Sequence, residues 1–138
     1  MKPRILIAED EIIIACDLRH LLIESGYEIA GIASSGEETL RMANETEPDL
    51  ILMDICLRGR IDGIEAADEI LKHNRMPIIY ITGSTDQNTL NRLEERGEHI
   101  LIGKPFDFCE LNRTIRRVLG DSGKPKTFGN RKSCAAGG

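Results

Sequence analysis

Charged and hydroxyl side chains follow several short apolar runs along this 138-residue chain. They belong to Glu9, Asp10, Asp54, Thr82 and Lys104. If the runs are parallel strands of one sheet, their carboxyl ends lie along one edge, which is where open α/β sheets bind ligands. Three carboxylates, a hydroxyl and an ammonium group would then meet at one site.

This mixture of charges predicts a particular chemistry. Neighbouring carboxylates repel one another unless a cation neutralises them, and Mg²⁺ takes a few carboxylate oxygens together with water and phosphate oxygens. An ionised aspartate such as Asp54 can attack phosphorus and form an aspartyl phosphate. The transferred phosphoryl group is anionic, so Mg²⁺, Lys104 and the Thr82 hydroxyl would neutralise and position its oxygens.

The apolar runs that precede these side chains are short, and several are apolar throughout rather than alternating. This pattern is typical of strands that are buried on both faces, as in a parallel sheet covered by helices. The runs occupy residues 4–8, 28–32, 49–53, 77–81 and 99–102. They therefore predict five buried strands.

The segments between the runs predict helices. Leu18 and Leu22 recur at helical spacing in the first segment, and Leu111 and Ile115 do so in the last. Capping-box spacing, in which a capping side chain stands three residues before Glu or Gln, marks several helix starts. The pairs are Ser35–Glu38, Asp62–Glu65, Ser84–Gln87 and Asp107–Glu110.

Together these elements predict an α/β fold, a doubly wound five-stranded parallel sheet with helices on both faces. The length suits one domain, which we place at residues 1–120. From residue 121 the sequence is rich in Gly, Lys, Ser and Ala, so we predict a flexible C-terminal tail over residues 121–138.

Composition excludes several other classes. The net charge of −5 argues against a nucleic-acid partner. We find no signal peptide and no apolar run of membrane-spanning length, so we expect a cytoplasmic location without membrane insertion. The cysteines form no CxxC pair, which argues against zinc, and Cys16, Cys56 and Cys109 are predicted to be small buried hydrophobes.

Five motifs occur in order between residues 3 and 119. They are Ile5-Leu6-Ile7-Ala8-Glu9-Asp10-Glu11, Pro48-Asp49-Leu50-Ile51-Leu52-Met53-Asp54-Ile55, Asp62-Gly63-Ile64-Glu65, Pro77-Ile78-Ile79-Tyr80-Ile81-Thr82-Gly83 and Gly103-Lys104-Pro105-Phe106. With these motifs in register, the chain resembles the receiver domain of bacterial response regulators, in its single-domain form. The resemblance implies a flavodoxin-like (βα)5 fold with strand order 2-1-3-4-5.

The resemblance also implies a role for each matching residue. Asp54 corresponds to the phosphoacceptor, and Thr82 and Lys104 correspond to the switch hydroxyl and the phosphoryl-contacting lysine. Mg²⁺ would be held by Glu9, Asp10, Asp54 and the backbone carbonyl of Cys56, with Asp10 as the direct ligand of the acidic pair. The peptide bond before Pro105 is expected to be cis.

The implied partners follow from the same resemblance. A sensor histidine kinase or a histidine phosphotransfer protein would donate the phosphoryl group. Phosphorylation would shift an equilibrium at the face of the fourth helix and fifth strand, which would bind a downstream protein or a second copy of the chain. The domain modifies itself and releases no external product, so we do not expect an enzyme in the ordinary sense.

Three features depart from the common receiver pattern. The loop after Asp54 is one residue longer and has Arg58 where proline is usual, so contact with a kinase is expected to differ. Leu101 stands where an aromatic switch residue is frequent. Cys56 and Ser84 occupy variable positions near the phosphoryl group.

Alternatives from other classes remain at this stage. A haloacid-dehalogenase-like phosphatase would need an aspartate where Cys56 stands, the spacing from Gly97 to Lys104 does not fit a P-loop, and an acidic rim would repel the phosphate of FMN. The chain could instead be a scaffold that keeps the receiver fold without phosphorylation, or the receiver part of a longer regulator. Loss of Mg²⁺ binding would favour the scaffold.

Overall fold

The computed structural model describes residues 2–83 and 86–120, in which five strands alternate with five helices. The strands are β1 (Arg4–Ala8), β2 (Glu28–Ala33), β3 (Leu50–Asp54), β4 (Ile78–Thr82) and β5 (Ile100–Gly103). The helices are α1 (Ile12–Glu24), α2 (Gly36–Thr46), α3 (Gly63–His73), α4 (Gln87–Glu94) and α5 (Phe108–Leu119). The predicted tail, residues 121–138, lies outside the described residues.

All strands are parallel, and their order is β2-β1-β3-β4-β5, as predicted. Every residue of β3 and β4 is buried, which explains why these strands read as continuous apolar runs. Strands β3, β4 and β5 begin and end one residue later than the sequence indicated. Asp54 and Thr82 are therefore the last residues of β3 and β4.

Separate hydrophobic clusters cover the two faces of the sheet. Helices α1 and α5 pack on one face, where Leu18, Leu22 and Leu111 are buried. Helices α2, α3 and α4 pack on the other, where Ile70 and Leu93 are fully buried. The helices thus cover the two faces of the sheet, and polar groups occupy its carboxyl edge.

The helix caps agree only in part with the predicted capping boxes. Asp62 forms the complete reciprocal pair with Glu65. Ser35 accepts the predicted backbone hydrogen bond from Glu38, and Asp107 accepts one from Cys109 instead of residue 110. Helix α4 is capped by Asp86, so the predicted start at residue 84 was wrong, and residue 84 itself lies outside the described residues.

The prediction for three cysteines was also wrong. Cys16, Cys56 and Cys109 are exposed free thiols. On α1 the buried stripe runs through Ala15, Leu18 and Leu22, so position 16 is rotated away from the sheet by the helical repeat. Among the described residues, no helix has the length and apolar character needed to cross a bilayer.

Candidate functional site

Strand register brings the acidic residues together at the carboxyl edge of the sheet. Strand β1 lies between β2 and β3, with Ala8 opposite Met53, so the residues after Ala8 stand beside Asp54. Carboxylate oxygens of Glu9, Asp10 and Asp54 all lie within 4.8 Å of one another. Glu9 and Asp54 are buried, whereas Asp10 is partly exposed. The predicted carboxylates therefore form one cluster that opens to solvent through Asp10.

A lysine ammonium group lies within this cluster. Lys104 Nζ is 3.1 Å from Asp54 Oδ2 and 3.2 Å from Glu9 Oε1. Burial alone would lower the Lys104 pKa, but the hydrogen bond to Asp54 and the charges of Asp54 and Glu9 outweigh it and raise the pKa. Lys104 is therefore a permanent cation beside Asp54 at neutral pH.

Backbone groups hold the acidic side chains in place. The N–H of Cys56 donates to Asp54 Oδ1 at 3.1 Å, and the N–H of Glu11 donates to Glu9 Oε2 at 3.1 Å. Both carboxylates thus accept a hydrogen bond from the residue two positions later. The Asp54 side chain is fixed through both oxygens, one by a backbone N–H and the other by Lys104.

The neighbouring strands supply the other predicted residues. Thr82 is buried at the end of β4, one residue beyond Ile81, which is opposite Asp54. The N–H of Lys104 donates to the carbonyl of Thr82 at 2.8 Å, which fixes the start of the segment after β5. The peptide bond between Lys104 and Pro105 is cis.

The donor set of this cluster fits a hard divalent cation. Burial raises the pKa of Glu9, and the nearby Asp54 charge adds to the rise. Three carboxylates surround the single ammonium group of Lys104, so negative charge remains in the cluster. Oxygen ligands from Glu9, Asp10 and Asp54 suit Mg²⁺, which would neutralise that charge. The Cys56 carbonyl as a further ligand stays a prediction.

The loop between β3 and α3 is fastened to the start of α2. Glu37 accepts the N–H of Arg60 at 2.8 Å, and the N–H of Gly36 donates to the carbonyl of Arg58 at 3.3 Å. The hydrogen bond from Arg60 lowers the Glu37 pKa. Gly59 has a φ of +105°, a left-handed conformation that favours glycine. The longer loop seen in the sequence is thus held at its centre.

Arg58 is a contact that the sequence did not predict. Its Nε lies 3.4 Å from Asp10 Oδ2, while its side chain is 78% exposed. The sequence identified Arg58 only as a substitute for proline, because pairing with a residue 48 positions away depends on the folded loop. Arg58 therefore places a second cation at the solvent side of the acidic cluster.

Arg58 competes with Mg²⁺ for the Asp10 carboxylate, and an exposed ion pair of this kind is worth about 0.2–1 kcal/mol. We therefore expect Arg58→Gln to raise the Mg²⁺ affinity by about twofold to fivefold. Isothermal titration calorimetry at low ionic strength measures the change. Arg60→Gln removes the same charge from the same loop and serves as the control. Equal affinities in the two variants would show that the Asp10 contact has no effect.

These observations agree with the comparison to known families. The family model described as the response regulator receiver domain matches residues 5–116. The chain belongs to the response regulator receiver family. Receivers act in two-component signalling, and phosphorylation and Mg²⁺ are general features of the family.

Curated relatives of this receiver include regulators of different lengths. The transcriptional regulatory protein PdtaR of Mycobacterium tuberculosis is 40% identical over 116 residues, which cover 84% of this chain and 56% of PdtaR. The phyllosphere-induced regulator PhyR of Methylorubrum extorquens is 34% identical, over 86% of this chain and 44% of PhyR. The chain thus spans 56% and 44% of these two relatives.

Solved receiver structures share the fold. The signal receiver domain of a modulated diguanylate cyclase from Desulfovibrio desulfuricans G20 has a TM-score of 0.80 and 35% identity, and the match covers 86% of this chain and 94% of that one. The receiver domain of Erythrobacter litoralis PhyR has a TM-score of 0.76 and 29% identity, with 91% and 96% covered. The receiver fold therefore extends over the part of the chain that the structure describes.

Proposed function

We propose that this chain accepts a phosphoryl group on Asp54 from a phosphohistidine donor in a Mg²⁺-dependent phosphorelay. The observation that carries the proposal is the placement of Lys104 Nζ 3.1 Å from Asp54 Oδ2, inside a cluster of three carboxylates. Burial, the Cys56 N–H and Lys104 fix the Asp54 carboxylate, so its oxygens are positioned before a donor arrives.

The chemical step balances with these groups. An Asp54 oxygen forms a bond to phosphorus as the bond from phosphorus to the donor imidazole nitrogen breaks, and the departing imidazole takes a proton from solvent. Lys104 would move from the carboxylate oxygen to a phosphoryl oxygen, and the Thr82 hydroxyl would donate to another. A bound Mg²⁺ would neutralise the remaining charge on the phosphoryl oxygens. The product stays on the chain, so the domain is a substrate of the relay rather than an enzyme.

An apolar patch beside the site supports a protein as donor. Ile12 and Ile13 begin α1, directly after the acidic residues of β1, and are 69% and 77% exposed. Two adjacent isoleucines exposed next to a charged site offer apolar surface to a docking protein. We propose that a sensor histidine kinase or a histidine phosphotransfer protein binds this patch, in the cytoplasm, and presents its phosphohistidine to Asp54.

We propose that the output is a protein contact at the face formed by α4 and β5. Helix α4 has eight residues and buries only Thr89 and Leu93, so it is the helix that a change at the site can shift with least loss of packing. A downstream protein or a second copy of the chain would bind this face after phosphorylation.

Labelling of the purified chain with acetyl phosphate tests the proposal. With Mg²⁺ we expect a label that hydroxylamine removes, as it does for an acyl phosphate, and with EDTA in place of Mg²⁺ we expect no label. A folded chain that takes no label and binds neither Mg²⁺ nor beryllofluoride would contradict the proposal and favour a scaffold that works without phosphorylation.

The contribution of Lys104 is a separate prediction. Lys104→Gln removes the cation next to Asp54, so we expect the rate of labelling by acetyl phosphate to fall about a hundredfold, as for the loss of one preorganised electrostatic donor. Quenched time courses at saturating Mg²⁺ measure the rate. A rate equal to that of the wild type would show that Lys104 has no part in the transfer.

A further inference from the structure

Two arginines, Arg92 in α4 and Arg96 in the turn that follows it, attach this segment to α3. Arg92 donates from both terminal nitrogens to Asp62, at 2.8 and 3.2 Å. One turn later Arg96 donates from Nε and a terminal nitrogen to Asp68, at 2.8 Å each. Both pairs are bidentate, the strongest form of arginine–carboxylate contact. Helix α4 itself buries only Thr89 and Leu93, so these pairs add to a small set of packing contacts.

The two pairs differ in their connection to the phosphorylation site. Asp62 caps α3, accepting the N–H of Glu65, and the next residue, Gly63, packs against the end of β3. A Cβ at Gly63 would lie 2.2 Å from the carbonyl oxygen of Asp54, and the Gly63 N–H donates to the Ile55 carbonyl at 2.9 Å. A displacement of Asp54 or of the following loop is therefore transmitted directly to Asp62.

Asp68, the partner of Arg96, does not adjoin the end of β3 as Asp62 does. It lies in the middle of α3, six residues beyond Asp62, on the side of the helix that faces Arg96. The two arginines thus make the same type of contact to α3 and its cap, one from within α4 and the other from the turn after it. Only Arg92 makes it to a residue that adjoins the end of β3.

Charge keeps the pair of Asp62 and Arg92 intact. Partial burial alone would raise the Asp62 pKa, but hydrogen bonds from Arg92 and from the Glu65 N–H outweigh it and lower the pKa. The same contact raises the pKa of Arg92. Both partners therefore stay ionised at neutral pH. Leu101, at the position where receivers frequently carry an aromatic switch residue, is an aliphatic side chain that packs partly buried against the core.

We propose that Arg92 is a positioning residue that couples the state of Asp54 to α4 through Asp62, whereas the pair of Arg96 and Asp68 only fastens the helix. The proposal rests on the proposed phosphorylation of Asp54. In this coupling the Arg92–Asp62 contact stabilises the unphosphorylated arrangement. When the loop after Asp54 adjusts around the phosphoryl oxygens, Asp62 shifts, the contact weakens and α4 is released.

Coupling between phosphorylation of Asp54 and the Arg92–Asp62 contact is reciprocal. If phosphorylation weakens the contact, loss of the contact must favour the phosphorylated arrangement. Arg92→Gln should therefore raise the affinity for beryllofluoride with Mg²⁺, a mimic of the phosphoryl group, by about fivefold. Arg96→Gln should leave that affinity unchanged. Arg92→Lys, which restores the charge but not the two-pronged contact, should lie between the wild type and Arg92→Gln.

The experiment is an NMR titration of the ¹⁵N-labelled full chain and these three variants with beryllofluoride at saturating Mg²⁺. Hydrogen exchange of α4 in the free proteins is the companion measurement, and we expect both glutamine variants to speed it, because both pairs fasten the helix. Equal beryllofluoride affinities in Arg92→Gln and Arg96→Gln, whether raised or not, would overturn this inference alone. A wild-type chain that binds no beryllofluoride would overturn the proposed function, and this inference with it.

Discussion

Replacement of Asp54 by asparagine is expected to abolish labelling by acetyl phosphate, a loss of at least about a thousandfold for removal of the nucleophile. The amide oxygen is neutral and too weak a nucleophile to attack phosphorus. The fold should survive, because the asparagine side chain has the same size and its oxygen can still accept the Cys56 N–H. Mass spectrometry of the intact chain after incubation with acetyl phosphate and Mg²⁺ measures the label.

Glu11→Gln is the matched control for this substitution. Glu11 is exposed, lies two residues after Glu9 and makes no side-chain cap to α1, so the variant loses the same charge close to the site. We expect it to label as the wild type does. Circular dichroism and thermal unfolding establish that both variants are folded. Labelling of Asp54→Asn to the wild-type extent would mean that another residue carries the phosphoryl group.

Gly63→Ala is expected to cost about 1–3 kcal/mol in the free energy of unfolding, as for an added methyl group in a packed site. The new Cβ would lie 2.2 Å from the Asp54 carbonyl oxygen and 2.9 Å from the Ile55 Cα, and both of these are backbone atoms. The end of β3 or the start of α3 must therefore move. A movement of β3 displaces Asp54 itself, and a movement of α3 pulls on the loop that follows Asp54, so the Mg²⁺ affinity and the labelling rate should fall as well. Urea denaturation measures the stability.

Gly103→Ala provides the comparison for Gly63→Ala. It adds the same methyl group at the end of β5, on the same rim, where the nearest atom is 3.9 Å from the new Cβ. That distance is an ordinary van der Waals contact, so we expect a change within about 0.5 kcal/mol. If the two alanine variants unfold at the same urea concentration, the close approach of α3 to the Asp54 backbone is not a constraint on the fold.

Much of the fold was predictable because strands and helix starts depend on patterns of neighbouring residues in the sequence. Continuous apolar runs identified β3 and β4, which are buried on both faces. The Asp62–Glu65 capping box correctly placed the start of α3. The rule that ligands bind at the carboxyl ends of parallel strands then selected Glu9, Asp10 and Asp54, which the structure brings together.

What the sequence did not predict depends on long-range contacts. The partners of Arg58 and Arg92 stand 48 and 30 positions away, and the pairs form only once loops and helices are placed. Exposure of Cys16 follows from a rotation of one residue around α1, which a stretch of apolar letters does not resolve. Gly63 matched a motif, but its close contact with the Asp54 backbone is a property of packing.

Identification of the phosphorylated residue tests the central claim most directly. Borohydride reduces an aspartyl phosphate to homoserine, so reduction after incubation with acetyl phosphate, followed by peptide mass spectrometry, marks the residue that carried the group. We predict that Asp54 is the residue reduced, and only when Mg²⁺ was present during labelling. Reduction at Asp10 or at any other carboxylate instead, or no reduction in a folded chain, would contradict the account.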